Sequence, residues 1–207
     1  MFDGSIIIAV CFSAWKIVLS SGEIKTRICS VANCIPLLVQ QNVYGLGFFN
    51  RSWAEFKVGF NDTKGNLWVG NDLLHQLTTS GRRYKLRFDL QATNGSWYYA
   101  EYSSFVVYSE ATNYRMHVSG YSGNAGVPGF SYHDGLMFTT YDRDNDPWTH
   151  ANANYRNNCA VRNDGGFWYN ACSRASVNGV RGRGDDFRWY GNSRTMLLQK
   201  SRMWLTC

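Results

Sequence analysis

Residues 83–102 read Arg83-Tyr84-Lys85-Leu86-Arg87-Phe88-Asp89-Leu90-Gln91-Ala92-Thr93-Asn94-Gly95-Ser96-Trp97-Tyr98-Tyr99-Ala100-Glu101-Tyr102. Tyr84, Leu86, Phe88 and Leu90 recur at every second position, the period of a strand with one buried face. The Asn94-Gly95 step before the next aromatic run signals a hairpin with a type I′ turn. The stretch therefore predicts the start of an antiparallel sheet. Further strands are predicted at 105–108 and 114–118, and residues 196–205 return to apolar alternation and rejoin the sheet. Upstream, Asn50 ahead of Trp53 and Phe56 predicts a short capped helix. Asn71 ahead of Leu73, Leu74 and Leu77, stopped by Ser80-Gly81, predicts another. After Gly120 the periodicity fades until about Asn192, and a loop region of that length needs a function or a tether.

The 207 residues suffice for one domain with a real core. Aromatic residues make up 16% of the chain against three prolines, which favours a β-containing recognition fold over a helical bundle. The formal net charge is +6, but the basic residues are dispersed, so nucleic acid is not the expected partner. Their densest group, Arg82, Arg83, Lys85 and Arg87, alternates with apolar residues. That is the pattern of a solvated strand face, with polyanion affinity as the alternative.

The apolar run at residues 5–15 is too short to span a bilayer and suits the apolar core of a signal peptide over residues 1–20. Asp3 precedes it and no positive charge does, so a buried strand or helix, or a foreign terminus, remains open. Three glycosylation sequons, at Asn50, Asn61 and Asn94, point independently to export. Cys159 and Cys172 lack the closely spaced partners of a zinc site, and a disulfide between them would stabilise the fold by about 3 kcal/mol. Cys29 and Cys34 could pair locally, which would leave Cys207 odd if cleavage near Ser20 or Ser21 removed Cys11.

Asp142, Asp144 and Asp146 alternate with Arg143 and Asn145, so in an extended loop their carboxylates share a side and call for a cation or hydrogen-bond donors. Hard oxygen ligands at this density suit calcium. An EF-hand is disfavoured, because Pro147 follows the run and Ala153 stands where the bidentate glutamate belongs. The plainer alternative is a solvated acidic turn paired with Arg143 or Arg156. An enzyme is not expected: the four histidines lack Ser, Cys or Asp partners at recognised spacing.

From about Leu38 onward the chain resembles the fibrinogen-related domain, the globular module of fibrinogen chains, ficolins, tachylectins, tenascins and angiopoietins. The resemblance is carried by the run from Phe49 through Trp53 and Phe56 to Phe60, by Leu67-Trp68-Val69-Gly70-Asn71, and by Gly120-Tyr121-Ser122-Gly123-Asn124. The aspartate run, Asn158-Cys159-Ala160 and Gly166-Phe167-Trp168-Tyr169-Asn170-Ala171-Cys172 complete it. It implies an α+β fold with a central twisted antiparallel sheet and short helices at 38–119, and a loop-rich calcium- and ligand-binding subdomain at 120–207. Residues 1–37 do not match the family's amino-terminal subdomain.

By the same resemblance Asp144 and Asp146 would offer side-chain oxygens to calcium, and Trp148 and His150 their carbonyls. An insertion within residues 151–158 could displace His150 or offer Asn152 instead. The Ala171–Cys172 peptide would be cis beside a ligand pocket. There Asn163 stands where the family often has tyrosine, and Ser173 where it often has histidine; Arg162, Arg174, Arg181 and Arg183 would favour acidic groups. The expectation is a secreted, calcium-binding, lectin-like module for acetylated or acidic glycans, of the kind used in innate immunity. The alternative is a protein-binding module of a matrix or receptor-ligand protein. With no coiled-coil or collagen-like segment in the chain, avidity would require a partner or a homo-oligomer.

Overall fold

The computed structural model describes residues 16–18, 24–26, 35–43, 47–149, 157–181, 187–190 and 195–207. Cys11, Cys29, Cys34, Arg156, Arg183, His150 and most of the expected signal peptide lie outside them. Cys207 is disulfide-bonded. A backbone pair, β1 (Lys16–Val18) and β2 (Ile24–Thr26), precedes the main sheet.

The alternation at 84–90 becomes β6 (Lys85–Ala92) after β3 (Leu37–Asn42), β4 (Phe60–Asn61) and β5 (Leu67–Trp68). Next come β7 (Trp97–Val107) and β8 (Met116–Gly123), and the chain closes with β13 (Thr195–Thr206). These strands are ordered β4-β5-β3-β13-β6-β7-β8, every pairing antiparallel. The last strand thus lies in the middle of the sheet, between β3 and β6. Leu86, Phe88, Leu90, Ala100, Tyr102, Met203 and Leu205 are buried on one face, while Lys85, Arg87, Asp89, Arg202 and Trp204 remain partly exposed on the other. The family boundary expected at residue 119 falls inside β8, and β13 belongs to the central sheet rather than to the loop-rich part.

Several local details differ from expectation. The first helix, α1 (Trp53–Val58), is capped by Ser52 and not by Asn50: Ser52 accepts from the Glu55 amide and Glu55 reaches back to the Ser52 amide. The second, α2 (Asn71–Thr78), begins with Asn71 inside the helix, where its Oδ1 accepts from the Trp68 indole at 3.1 Å. The hairpin turn is not type I′, because only Gly95 has positive φ (89°) while Asn94 does not. Gln91 pairs with Trp97, and the Gly95 amide donates to the Ala92 carbonyl, which makes a three-residue loop with a glycine bulge. The strand expected at 105–108 is the continuation of β7. The one expected from Tyr114 begins at Met116, since Asn113 and Tyr114 are both left-handed (φ 54° and 48°).

Loop-rich segments are tied down through short pairings, one of which joins the central sheet. β9 (Phe138–Thr139) pairs β10 (Phe167–Trp168), and β11 (Ala175–Ser176) pairs β12 (Arg188–Tyr190), which itself joins β13. Phe138 is the hub beneath them. Its ring lies 5.0 Å from Phe56, 5.7 Å from Trp68, 5.0 Å from Trp168 and 6.3 Å from Trp53, joining α1 to β9 and β10 in one aromatic core.

Candidate functional site

The acidic loop follows β9 and is held by backbone bonds between Thr140 and Arg143 in both directions. Asn145 anchors it from below, its Nδ2 donating to the Phe138 carbonyl at 2.7 Å. Each aspartate then has a different employer. Asp142 accepts from the Trp53 amide at 2.8 Å and from Thr140 Oγ1 at 2.6 Å, so its charge faces the first turn of α1. Asp144 is exposed and accepts the Asp146 amide at 3.3 Å. Asp146 is half-buried and accepts the Trp148 amide at 3.0 Å through one oxygen and the Cys159 amide at 2.9 Å through the other.

Burial pushes the Asp146 carboxyl up to about 7; its two backbone donors oppose this and the neighbouring Asp144 adds to it. Arg143 does not offset that charge. Its guanidinium lies 4.0 Å over the Trp53 ring, donates to Asn113 Oδ1 at 2.6 Å and faces Glu110 at 3.8 Å. Of the plainer alternative, an acidic turn paired with Arg143 or Arg156, the Arg143 half is corrected by these contacts, and Arg156 lies outside the described residues. Two adjacent carboxylates, one of them partly desolvated, form a donor set that fits a hard cation such as calcium. Among the described residues no group of three or more His, Cys, Asp or Glu gathers, so further ligands would be carbonyls or water. Trp148 packs partly against the core, with Arg162 5.8 Å over its ring.

The third helix, α3 (Cys159–Asn163), is fastened to this loop at its start. Its cap Asn158 donates to the Thr140 carbonyl at 3.0 Å and accepts from Ala160 and Val161, and the Cys159 amide is the one that meets Asp146. Cys159 is bonded to Cys172, with 5.4 Å between their Cα atoms, and the Ala171–Cys172 peptide is cis. Of the expected pocket positions Ala171 is exposed, but Cys172 and Ser173 are buried and Asn163 is wholly so. Among the described residues Ser173 Oγ has no hydrogen-bond partner, and the Asn163 amide faces the buried Tyr169 hydroxyl. These side chains lie inside the protein rather than on the wall of an open pocket.

Two features escaped the sequence. His133, fully buried, sets its Nδ1 2.6 Å from the Trp168 carbonyl, while its Nε2 accepts from the amides of Arg174 and Ala175 at 3.1 and 3.2 Å. Burial holds its pKa down to about 4, with Arg188 and Arg174 acting in the same direction. It thereby fixes the segment just past the cis peptide, forty residues downstream, and no spacing rule could announce that link. The second feature is on the surface: Arg174 lies 4.6 Å from the Tyr132 ring and 5.6 Å from the Tyr190 ring. The arginine was noticeable in the sequence; its aromatic partners were not. The three sequon asparagines are exposed.

A family model described as fibrinogen beta and gamma chains, C-terminal globular domain, matches residues 31–204. Angiopoietin-related protein 7 of Bos taurus is 38% identical over 161 residues, covering 74% of this chain and 44% of that protein. The fibrinogen alpha chain of Homo sapiens is 39% identical over 171 residues, covering 76% and 19%. The chain thus spans less than half the length of these relatives. Among solved structures, the fibrinogen-like globe domain of human ANGPTL2 superposes with a TM-score of 0.73 at 31% identity, covering 93% of this chain and 91% of that one. Lamprey fibrin D-dimer, complexed with the peptide ligand Gly-His-Arg-Pro-amide, gives 0.72 at 26% identity, covering 94% and 69%.

Proposed function

This chain belongs to the family of the C-terminal globular domain of fibrinogen beta and gamma chains, and from that premise we propose that it is an extracellular, non-enzymatic module that recognises a protein partner. One observation carries the reading. Where a small-molecule pocket was expected, Asn163 and Ser173 are buried, while the surface beside them presents Arg174 between Tyr132 and Tyr190, the last 39% exposed. Tyrosine and arginine are the residues on which protein interfaces concentrate their binding energy. The Tyr190 amide donates to the Arg174 carbonyl at 2.7 Å, so the pairing of β11 with β12 presents the cluster in a set geometry and lowers the entropy lost on binding. The guanidinium fits a carboxylate-bearing loop or terminus on the partner. A peptide ligand on the lamprey relative supports peptide recognition as the class.

Calcium belongs to this reading as a support. Asp144 and Asp146 would hold it, and the cation would supply the positive charge that Asp146 lacks. Because Asp146 also holds the Cys159 amide, a filled site would stiffen the join between the acidic loop, α3 and the disulfide.

The test is a parallel screen of the soluble protein against arrayed extracellular ectodomains and acetylated or sialylated glycans, with and without a chelator. The expected result is a protein hit weakened at least about tenfold by Arg174→Glu, the scale of a hot-spot loss. Chelator-sensitive binding of acetylated glycans with no protein hit would overturn the proposal in favour of the lectin alternative.

A further inference from the structure

We infer that the open face of the central sheet is a docking surface for a linear sulfated polysaccharide, separate from the Arg174 cluster. The register sets its cations in a row. Arg83, exposed two residues ahead of β6, continues the alternation of Lys85 and Arg87 on the strand's outward positions; opposite Asp89 stands Arg202 of β13, and opposite Gln91 stands Lys200. There is one cation at each successive two-residue step, so five of them span about 27 Å along the strands at the usual strand rise. Single-strand reading had suggested a solvated face; the cations of β13, more than a hundred residues away in sequence, turn that face into a continuous stripe.

The two acids on this face do not cancel it. Asp89 is already occupied at both oxygens, by Arg87 Nε at 2.9 Å and by the Trp204 indole at 2.9 Å, and Glu101 is 3.7 Å from Lys85. Five cations less two acids leave +3 on one face of a chain whose total is +6. Among the described residues Arg83, Lys200 and Arg202 have no ion pair, and Arg202 spends only its Nε, on Gln41 at 2.7 Å. A row of charges, rather than a single pocketed one, matches a chain polyanion.

The aromatic residues say which polyanion. Trp97 and Tyr99 border the stripe on β7 and are 46% and 37% exposed. Arg202 and Arg87 rest over their rings at 5.5 and 4.6 Å, which positions the guanidinium groups for anionic oxygens while an edge of each ring stays open to sugar faces. Duplex DNA is read by a helix or ribbon entering a groove, and this flat face offers neither.

Surface plasmon resonance on immobilised heparin, desulfated heparin and duplex DNA tests the inference. At ~0.15 M NaCl the protein should bind heparin, and Arg83→Glu with Lys200→Glu should weaken binding at least about tenfold, since each cation removed reduces a salt-dependent contact. Neither residue makes a described ion pair, and the neutral pair Arg83→Gln with Lys200→Gln should fall between wild type and the glutamate pair. As a control, Arg162→Glu with Arg174→Glu should leave heparin binding within about twofold, because those arginines are on another face. No retention of wild type, an unchanged glutamate pair, equal loss in the control, equal binding of desulfated heparin, or tighter binding of DNA would each overturn it.

Discussion

Replacing His133 with glutamine should remove a pH dependence of stability whose size follows from the geometry. The ring is buried, its Nδ1–H donates to the Trp168 carbonyl, and its Nε2 must stay unprotonated to accept the amides of Arg174 and Ala175. A second ring proton would face two N–H donors, with Arg188 and Arg174 near by, which is why the folded pKa is about 4 instead of the ordinary 6.5. The unfolded chain takes up a proton below about 6.5, and the native state does not until about 4. The contribution is therefore fully present above 6.5 and lost as pH falls toward 4. Over the whole window that is about 3 kcal/mol, and between pH 7 and pH 5 about 2 kcal/mol.

Asp146 opposes this trend, since its folded pKa is raised and its contribution runs the other way. It is common to both proteins and cancels in the difference. Urea unfolding of wild type and His133→Gln at intervals from pH 7 to 5 should give stability curves that converge by about 2 kcal/mol as pH falls. A constant difference, or an imidazole titrating near 6.5 in the folded protein by NMR, would refute the reasoning.

Calcium at a hundredfold excess over Kd should raise wild-type stability by about 2.7 kcal/mol, and Asp144→Ala should abolish that rise; calorimetry with and without chelator reads both, and no calcium effect on the wild type or an unchanged one in the variant would unseat the assignment. Phe138→Ala should cost about 3–5 kcal/mol in denaturant melts, because the ring is fully buried among Trp53, Phe56, Trp68 and Trp168. Ser52→Ala should cost about 1 kcal/mol while Asn50→Ala should not, a contrast that equilibrium unfolding would show and that separates the true cap of α1 from its neighbour.

Where sequence reading succeeded, the information was local and periodic. Alternation at 84–90 announces which side chains share a face, because successive residues on a strand point opposite ways whatever follows in the chain. Where it failed, two local solutions were nearly equal. Asn50 and Ser52 are both good caps, and Glu55 reaching back decided for Ser52. Asn94-Gly95 suits a two-residue turn or the end of a longer one, and the pairing of Gln91 with Trp97 decided for the latter.

The aspartate run illustrates the same divide at the candidate site. Composition and alternation alone mark 142–146 as a place that asks for positive charge. They cannot assign the three carboxylates, because Asp142 meets a helix start 89 residues earlier in the chain and Asp146 meets the first amide of α3. Arg143, adjacent in sequence to two of them, is drawn away by Trp53, Asn113 and Glu110. The sequence by itself determined the strands of the 84–102 hairpin, the first two helices and the acidic loop, since each depends on neighbours within a few residues. The buried histidine, the Arg174 cluster and the cationic stripe across β6 and β13 were decided only by tertiary structure, because each joins side chains that nothing but the folded chain brings together.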